Sequence, residues 1–167
     1  LINAPNDKKI NELLGLVYAK EGKIRDAIEK LSVAIESEEC GAMALEELAN
    51  LFRQTGAEKE ALKLYLRLYE KVSSSLDLCL EIASIYVCMG NYNDAIDWLK
   101  KAEKISPSSK EILYNIGRAY DEMADYSSAL IYYERALDID ECFVEALINM
   151  GVIFTLQKNY LNALRYF

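Results

Sequence analysis

The sequence contains no histidine, and it has only two prolines and seven glycines among 167 residues. Without histidine there is no imidazole to act as a general base, to complete a Ser-His-Asp triad or to bind zinc. The shortage of proline and glycine argues against long loops and against β architectures that need many turns. No apolar run approaches the ~18 residues of a membrane-spanning helix. What remains is an ordinary globular composition, 52% hydrophobic and 28% charged.

Basic residues are also in short supply. Nineteen Lys and Arg stand against 27 Asp and Glu, which gives a formal net charge of -8. A chain of this charge repels phosphate backbones and anionic lipid surfaces. We therefore expect neither nucleic acid nor membrane among the partners.

The four cysteines are too widely spaced for a zinc site or a small disulfide framework. They are Cys40, Cys79, Cys88 and Cys142. The pattern favours free, buried thiols in a reducing compartment, hence a cytoplasmic rather than a secreted protein.

Motifs that carry catalysis are missing as well. There is no glycine-rich phosphate loop, nucleophile elbow or metal-ligand cluster. The carboxylate pair Asp121 and Glu122 is adjacent on a predicted helix, so the two side chains do not face each other. The sequence therefore predicts no enzyme and no cofactor.

What the sequence does have is an internal repeat of 34 residues without insertions. Repeats begin at Lys8, Ala42, Leu76, Lys110 and Val144. The twentieth position is alanine in every repeat, the eighth is small and the eleventh is aromatic. The twentieth-position residues are Ala27, Ala61, Ala95, Ala129 and Ala163. Small residues allow two helices to approach closely, and large residues fill the space that remains, so each repeat is predicted to be a pair of amphipathic helices.

These columns resemble the tetratricopeptide repeat family over residues 8–167. Departures are mild, such as Ala49 and Ala83 at the small position that the family usually fills with glycine. The resemblance implies an all-α, right-handed superhelical solenoid of antiparallel helix pairs. In the fourth repeat the pattern predicts helices over about Lys110–Glu122 and Ser127–Asp138. We expect the second helices of the first, third and fourth repeats to be capped by Asp26, Asn93 and Ser127.

The predicted domain organisation is one continuous solenoid. Complete repeats cover 8–41, 42–75, 76–109 and 110–143, and a partial fifth covers 144–167. Pro5 matches the late-turn position of the family, so residues 1–7 are expected to be the tail of a preceding repeat. We therefore interpret the chain as a segment of a longer array, whose uncapped ends would associate end to end with other copies.

The resemblance also implies that the first helix of each repeat lines a concave groove. At the groove positions, nine carboxylates stand against four cations. The carboxylates are Glu12, Glu46, Glu47, Asp77, Glu81, Glu111, Asp121, Glu122 and Glu145, and the cations are Lys9, Lys20, Arg53 and Arg118. Two interpretations stay open: a solvated charged face, or an acidic groove that attracts a basic or polar peptide.

Asparagine at the sixth position adds a more specific hypothesis. Some superhelical members of the family use it as a ladder along the groove, where each amide offers a donor and an acceptor to the backbone of an extended peptide. Asn115 and Asn149 match that position, so the resemblance implies two rungs at most. Other groove residues are further candidate contacts: Asn50, Tyr114, Arg118, Glu47, Glu81 and Glu111. The family's two-carboxylate clamp for chaperone tails does not fit, because carboxylates stand where it needs cations.

The sequence thus predicts a non-catalytic scaffold that binds a peptide or protein segment in an acidic groove. Two alternatives remain. The array could recruit substrates for a catalytic domain outside this segment, or it could be an assembly module that uses its ends and its convex face.

Overall fold

The computed structural model describes residues 7–37, 40–72 and 75–167. Within these ranges the chain forms ten α-helices and no β-strand, which confirms the all-α class. The helices are α1 (Lys8–Lys20), α2 (Ile24–Ala34), α3 (Ala42–Gln54), α4 (Glu58–Val72), α5 (Leu76–Cys88), α6 (Tyr92–Ile105), α7 (Lys110–Glu122), α8 (Tyr126–Ile139), α9 (Val144–Leu156) and α10 (Tyr160–Tyr166). Residues 1–6 of the predicted preceding repeat lie outside the described part.

The odd-numbered helices all contain 13 residues, and each begins at the first residue of a sequence repeat. The helix predicted over Lys110–Glu122 is confirmed as α7, while α8 begins one residue before and ends one residue after the predicted range. Small residues let the paired helices approach. A Cβ added to Gly117 of α7 would lie 2.6 Å from Cε1 of Tyr133 in α8. At Gly15 the facing side chain is Leu31, again 2.6 Å from an added Cβ, so the eighth position is small because a large side chain of the facing helix occupies the space.

The helices divide into two compact units, Leu1–Leu78 and Cys79–Phe167. In the first unit α1 packs on α2 and α3 on α4, around buried Leu31, Leu45, Leu48 and Tyr65. The guanidinium of Arg67 donates hydrogen bonds to the carbonyls of Ile35 (2.7 Å) and Ser37 (2.9 Å). This side chain therefore ties α4 to the carbonyls that follow α2.

The second unit contains most of α5 and all of α6 to α10. Helix α7 packs on α6 and α8, and α9 packs on α8 and α10. A core cluster of Ala129, Tyr133, Ala146, Met150 and Ile153 is fully buried. It joins α8 to the inner face of α9, and it positions the functional candidates described below.

The turn between paired helices uses a left-handed residue at the fifteenth position of every repeat. Gly22, Gly56 and Gly90 have φ values of 73°, 77° and 75°. In the last two repeats the position is held by Ala124 (φ 57°) and Lys158 (φ 59°). Because a Cβ disfavours this region, these two turns are strained where the first three are not.

The predicted helix caps were wrong. Asp26, Asn93 and Ser127 lie in the first turns of their helices, because α2, α6 and α8 begin earlier than predicted. The capping positions are Lys23, Asn91 and Asp125. Of these, Asp125 caps with its side chain, accepting from the backbone N–H of Ser128 (3.2 Å).

All four cysteines are free thiols, as expected, but only Cys40 and Cys79 are buried. Cys88 and Cys142 are exposed, so the prediction of buried thiols was wrong for them. Cys88 is the last residue of α5 and Cys142 lies in the loop before α9, and both positions are open to solvent. Over the part of the chain that the structure describes, no helix has the length and apolar character to cross a membrane.

Candidate functional site

A depression of about 640 Å³ opens in the second unit where α7 and α9 begin. It has aromatic, amide and carboxylate walls. Its lining residues are Lys110, Glu111, Tyr114, Asn115, Asp140, Cys142, Phe143, Val144 and Glu145. Residues 34 apart in sequence, such as Lys110 and Val144 or Glu111 and Glu145, come from equivalent positions of adjacent repeats.

Tyr114 is half-buried and lines this depression, and we call its ring the floor. Its ring meets Phe143 edge to face, with centroids 5.3 Å apart, and lies 5.7 Å from the ring of Tyr133. The guanidinium carbon of exposed Arg118, one turn further along α7, is 5.9 Å from the Tyr114 centroid. The aromatic contacts fix the ring, so the floor is preorganised.

Asn149 holds the floor from α9. Its side-chain amide donates to the hydroxyls of Tyr114 (3.3 Å) and Tyr133 (3.2 Å). The Tyr133 hydroxyl donates in turn to Asp121 at 3.4 Å. Both N–H groups of Asn149 are therefore engaged within the unit, and its remaining capacity is as an acceptor.

Asn115 occupies the same repeat position as Asn149 but has different surroundings. It is half-buried and lines the depression beside Tyr114. Among the described residues no hydrogen bond involves its side chain. Its amide is consequently available to a ligand as donor and as acceptor. The two-rung ladder stays a prediction, and its two asparagines differ in what they already bind.

Carboxylates dominate the charge around the depression. Lys110 pairs with Asp140, and this hydrogen bond raises the pKa of the lysine and lowers that of the aspartate. Exposed Glu111 accepts a hydrogen bond from the Ser109 hydroxyl (2.8 Å). Its pKa is lowered, first by a backbone hydrogen bond and then by Ser109. Within the described ranges neither Glu111 nor Glu145 forms a salt bridge, although both are close enough to Lys110 to raise its pKa. Since Lys110 is paired with Asp140, these four groups together leave an excess of two negative charges at the rim.

Burial shifts the pKa values behind the floor. It raises the pKa of Asp121, although the hydrogen bond from Tyr133 acts in the opposite direction. It also raises the pKa of the Tyr133 hydroxyl, which therefore stays protonated at neutral pH and keeps its donor.

The first unit has a smaller depression of about 500 Å³. It is lined by Glu47, Asn50, Arg53, Gln54 and Glu58. The Oδ1 atom of Asn50 accepts from the buried Tyr65 hydroxyl at 2.5 Å. The structure thus brings the predicted contacts Glu47 and Asn50 together, but the amide oxygen of Asn50 is already used.

Three predicted contacts lie around the larger depression: Glu111, Tyr114 and Asn115 line it. Arg118 and Asn149 touch its tyrosine floor, whereas Glu81 lies on α5 and is not a lining residue. The sequence missed Phe143 and Tyr133 as supports. Tyr133 is visible in the sequence only as a packing residue of the twenty-fourth position, and Phe143 has no signal beyond its aromatic ring.

No group of three or more Cys, Asp or Glu side chains suited to a metal ion occurs among the residues that the structure describes. The residues that line the larger depression offer hydrogen bonds, charge and aromatic contact.

Comparison with known proteins agrees with this architecture. Tetratricopeptide repeat models match residues 12–75 and 75–141. Comparison with curated protein sequences gave no match.

Solved structures of MamA share the fold. One crystal structure has a TM-score of 0.79 at 19% identity, covering 92% of this chain and 90% of that one. Another has a TM-score of 0.80 at 19% identity, covering 95% and 87%. MamA from Desulfovibrio magneticus RS-1, residues 41 to the end, gives 0.77 at 15% identity, covering 96% and 91%. With two family matches over most of its repeats, the chain belongs to the tetratricopeptide repeat family, whose repeats serve as protein-interaction scaffolds.

Proposed function

We propose that this chain is a non-catalytic scaffold and that the depression between α7 and α9 binds a basic segment of a partner protein. The observation that carries the proposal is the amide of Asn115, which lies beside an aromatic ring and the exposed carboxylates Glu111 and Glu145. Such a combination offers hydrogen bonds to a peptide backbone and a place for a cationic side chain.

Charge selects the ligand. Lys110 is paired with Asp140, so Glu111 and Glu145 leave an excess of negative charge at the rim, which Arg118 beside Tyr114 offsets only in part. A lysine or arginine would meet carboxylates at the rim and the Tyr114 ring below, and aromatic rings attract cations. An acidic segment would meet repulsion at the same place.

The same geometry supports a non-catalytic role. Glu111 and Glu145 are exposed and stand on a wide depression, where water is not excluded. Catalytic acids and bases need shifted pKa values in a site that keeps water out. Neither carboxylate is held in such surroundings, and no cofactor is needed for binding.

Fluorescence anisotropy with labelled peptides tests the proposal. We expect a lysine-containing peptide to bind, and its glutamate counterpart to bind more weakly, with the difference shrinking at high salt. Asn115→Ala should weaken binding about threefold to tenfold, as expected for the loss of one net hydrogen bond. The pair Glu111→Gln with Glu145→Gln should weaken it further, whereas Glu134→Gln on the exposed face of α8 serves as the matched control. Equal binding by all variants would exclude this depression.

A further inference from the structure

Helix α9 carries a second apolar face, separate from the one buried in the core. Val144, Ile148, Val152 and Leu156 are 57%, 47%, 45% and 60% exposed. They recur every four residues, and we call them the aliphatic ridge. The inward residues Ala146, Met150 and Ile153 are fully buried, so the ridge is not an edge of the core.

The repeat does not require aliphatic residues at these positions. The equivalent residues of α7 are Lys110, Tyr114, Arg118 and Glu122, and those of α3 are Ala42, Glu46, Asn50 and Gln54. Both sets are mainly polar, whereas the equivalent residues of α5, which are Leu76, Leu80, Ser84 and Cys88, are partly apolar. The only charged residue of α9 is Glu145. The predicted acidic groove is therefore apolar along its fifth repeat.

The spacing of the ridge indicates what can cover it. Side chains four residues apart form the ridges that pack into the grooves of another helix. From Val144 to Leu156 the ridge rises about 18 Å, the length of roughly three helical turns. An amphipathic helix of that length presents matching apolar rows.

The ridge is continuous with the depression between α7 and α9. Val144 belongs to both, and Glu145 follows it at the rim. An apolar surface thus begins where the exposed carboxylates Glu111 and Glu145 lie. A helix on the ridge would place its terminal turn over these charges. The C-terminal turn is the one that favours lysine and arginine, because the helix dipole is negative there.

We propose that the partner segment is an amphipathic α-helix, with its apolar row on the aliphatic ridge and with Lys or Arg in its last turn over Glu111 and Glu145. This inference rests on the proposed function and adds the class of ligand: a basic, helical segment with apolar residues rather than a purely polar extended one. The ridge supplies contact area, and the depression supplies charge selection.

The test uses the whole chain and synthetic helical probes of about 16 residues. The first probe has leucines at helical spacing and two lysines in its last turn. In the second probe glutamates replace the lysines, in the third serines replace the leucines, and in the fourth a central proline breaks the helix. We expect the first to bind most tightly, and circular dichroism to show a gain of helix on binding. Tight binding of the proline probe would overturn the helical ligand.

Protein variants separate this inference from the proposed function. Val152→Ser and Ile148→Ser should each weaken the first probe about tenfold, because the variants lose apolar contact. Ile131→Ser, at an aliphatic residue of α8 that is 56% exposed, is the matched control. Urea denaturation should show all three folded, since the side chains are exposed.

The outcomes are distinguishable. If the ridge variants bind normally while the Glu111 and Glu145 variants bind weakly, the ridge inference is wrong and the proposed function stands. If neither set matters, both are wrong. If Val152→Ser instead abolishes a concentration-dependent self-association seen by sedimentation, then a second copy covers the ridge, and the partner-helix inference is overturned.

Discussion

Replacing each of the two equivalent asparagines with alanine should change stability in opposite directions. Asn149 donates two hydrogen bonds, at 3.2 and 3.3 Å, to tyrosine hydroxyls, and one acceptor belongs to the fully buried Tyr133. At about 0.5–1.5 kcal/mol net for each bond, their loss costs about 2 kcal/mol. The higher helix propensity of alanine offsets about 0.6 kcal/mol of this loss. We expect Asn149→Ala to lower the free energy of unfolding by about 1–2 kcal/mol.

Asn115→Ala is the matched control. It loses no hydrogen bond among the described residues and gains the same propensity, so its free energy of unfolding should stay equal or rise by up to about 0.6 kcal/mol. Urea denaturation followed by far-UV circular dichroism measures the difference. With a typical slope of about 2 kcal/mol per molar urea, the two midpoints should lie about 1 M apart.

The same pair must then be compared in the peptide assay, where Asn115→Ala should lose affinity without losing stability. A double-mutant cycle of Asn149→Ala with Tyr133→Phe should show a coupling free energy, because the two changes remove one shared hydrogen bond. Coinciding midpoints for the two asparagine variants, or additivity in the cycle, would refute the assignment of Asn149 to the support of the floor.

Four further predictions concern the scaffold. Ala124→Gly should raise the free energy of unfolding by about 0.5–1 kcal/mol in urea denaturation, because it relieves left-handed strain, and Gly90→Ala should have the opposite effect. Gly117→Ala should lower the free energy of unfolding by about 1–3 kcal/mol despite better helix propensity, because the new methyl group meets the buried ring of Tyr133. An unchanged free energy of unfolding would mean that the ring can move aside. Arg67→Met should lower the free energy of unfolding by about 2 kcal/mol, because the two hydrogen bonds from the guanidinium to backbone carbonyls are lost. Asp121→Asn should raise the free energy of unfolding at neutral pH, because burial raises the pKa of Asp121 in the folded protein and so penalises its ionised form. This gain should shrink as the pH falls from the folded pKa toward 3.8, the ordinary pKa of an aspartate. A gain that grows as the pH falls would contradict burial as the cause.

The fold was predictable because its determinants repeat. Small, aromatic and alanine columns recur every 34 residues, so each repeat supports the assignment of the others. The start of α7 at Lys110 needs no more information than this. Helix caps were not predictable from residue type. Asp26 is a good capping residue, but the turn geometry sets the first helical residue before it, so it lies in the first turn instead.

The candidate site was predictable only in part. Position in the repeat was enough to select Tyr114 and Asn115. It could not distinguish Asn115 from Asn149, because the difference depends on tyrosine hydroxyls that are 16 and 35 residues from Asn149 in sequence. The aliphatic ridge of α9 was not predicted from the charges of the groove positions. It becomes evident only from the exposure of each side chain.

The support of Tyr114 by Asn149 has a consequence for how this surface can diverge. A change at Asn149 removes hydrogen bonds to two tyrosine hydroxyls, so we expect few substitutions there to leave stability unchanged. The side chain of Asn115 forms no hydrogen bond among the described residues, so we expect substitutions there to cost little stability. If the depression binds a partner as proposed, partner preference can evolve at Asn115 while the support of Tyr114 stays constant.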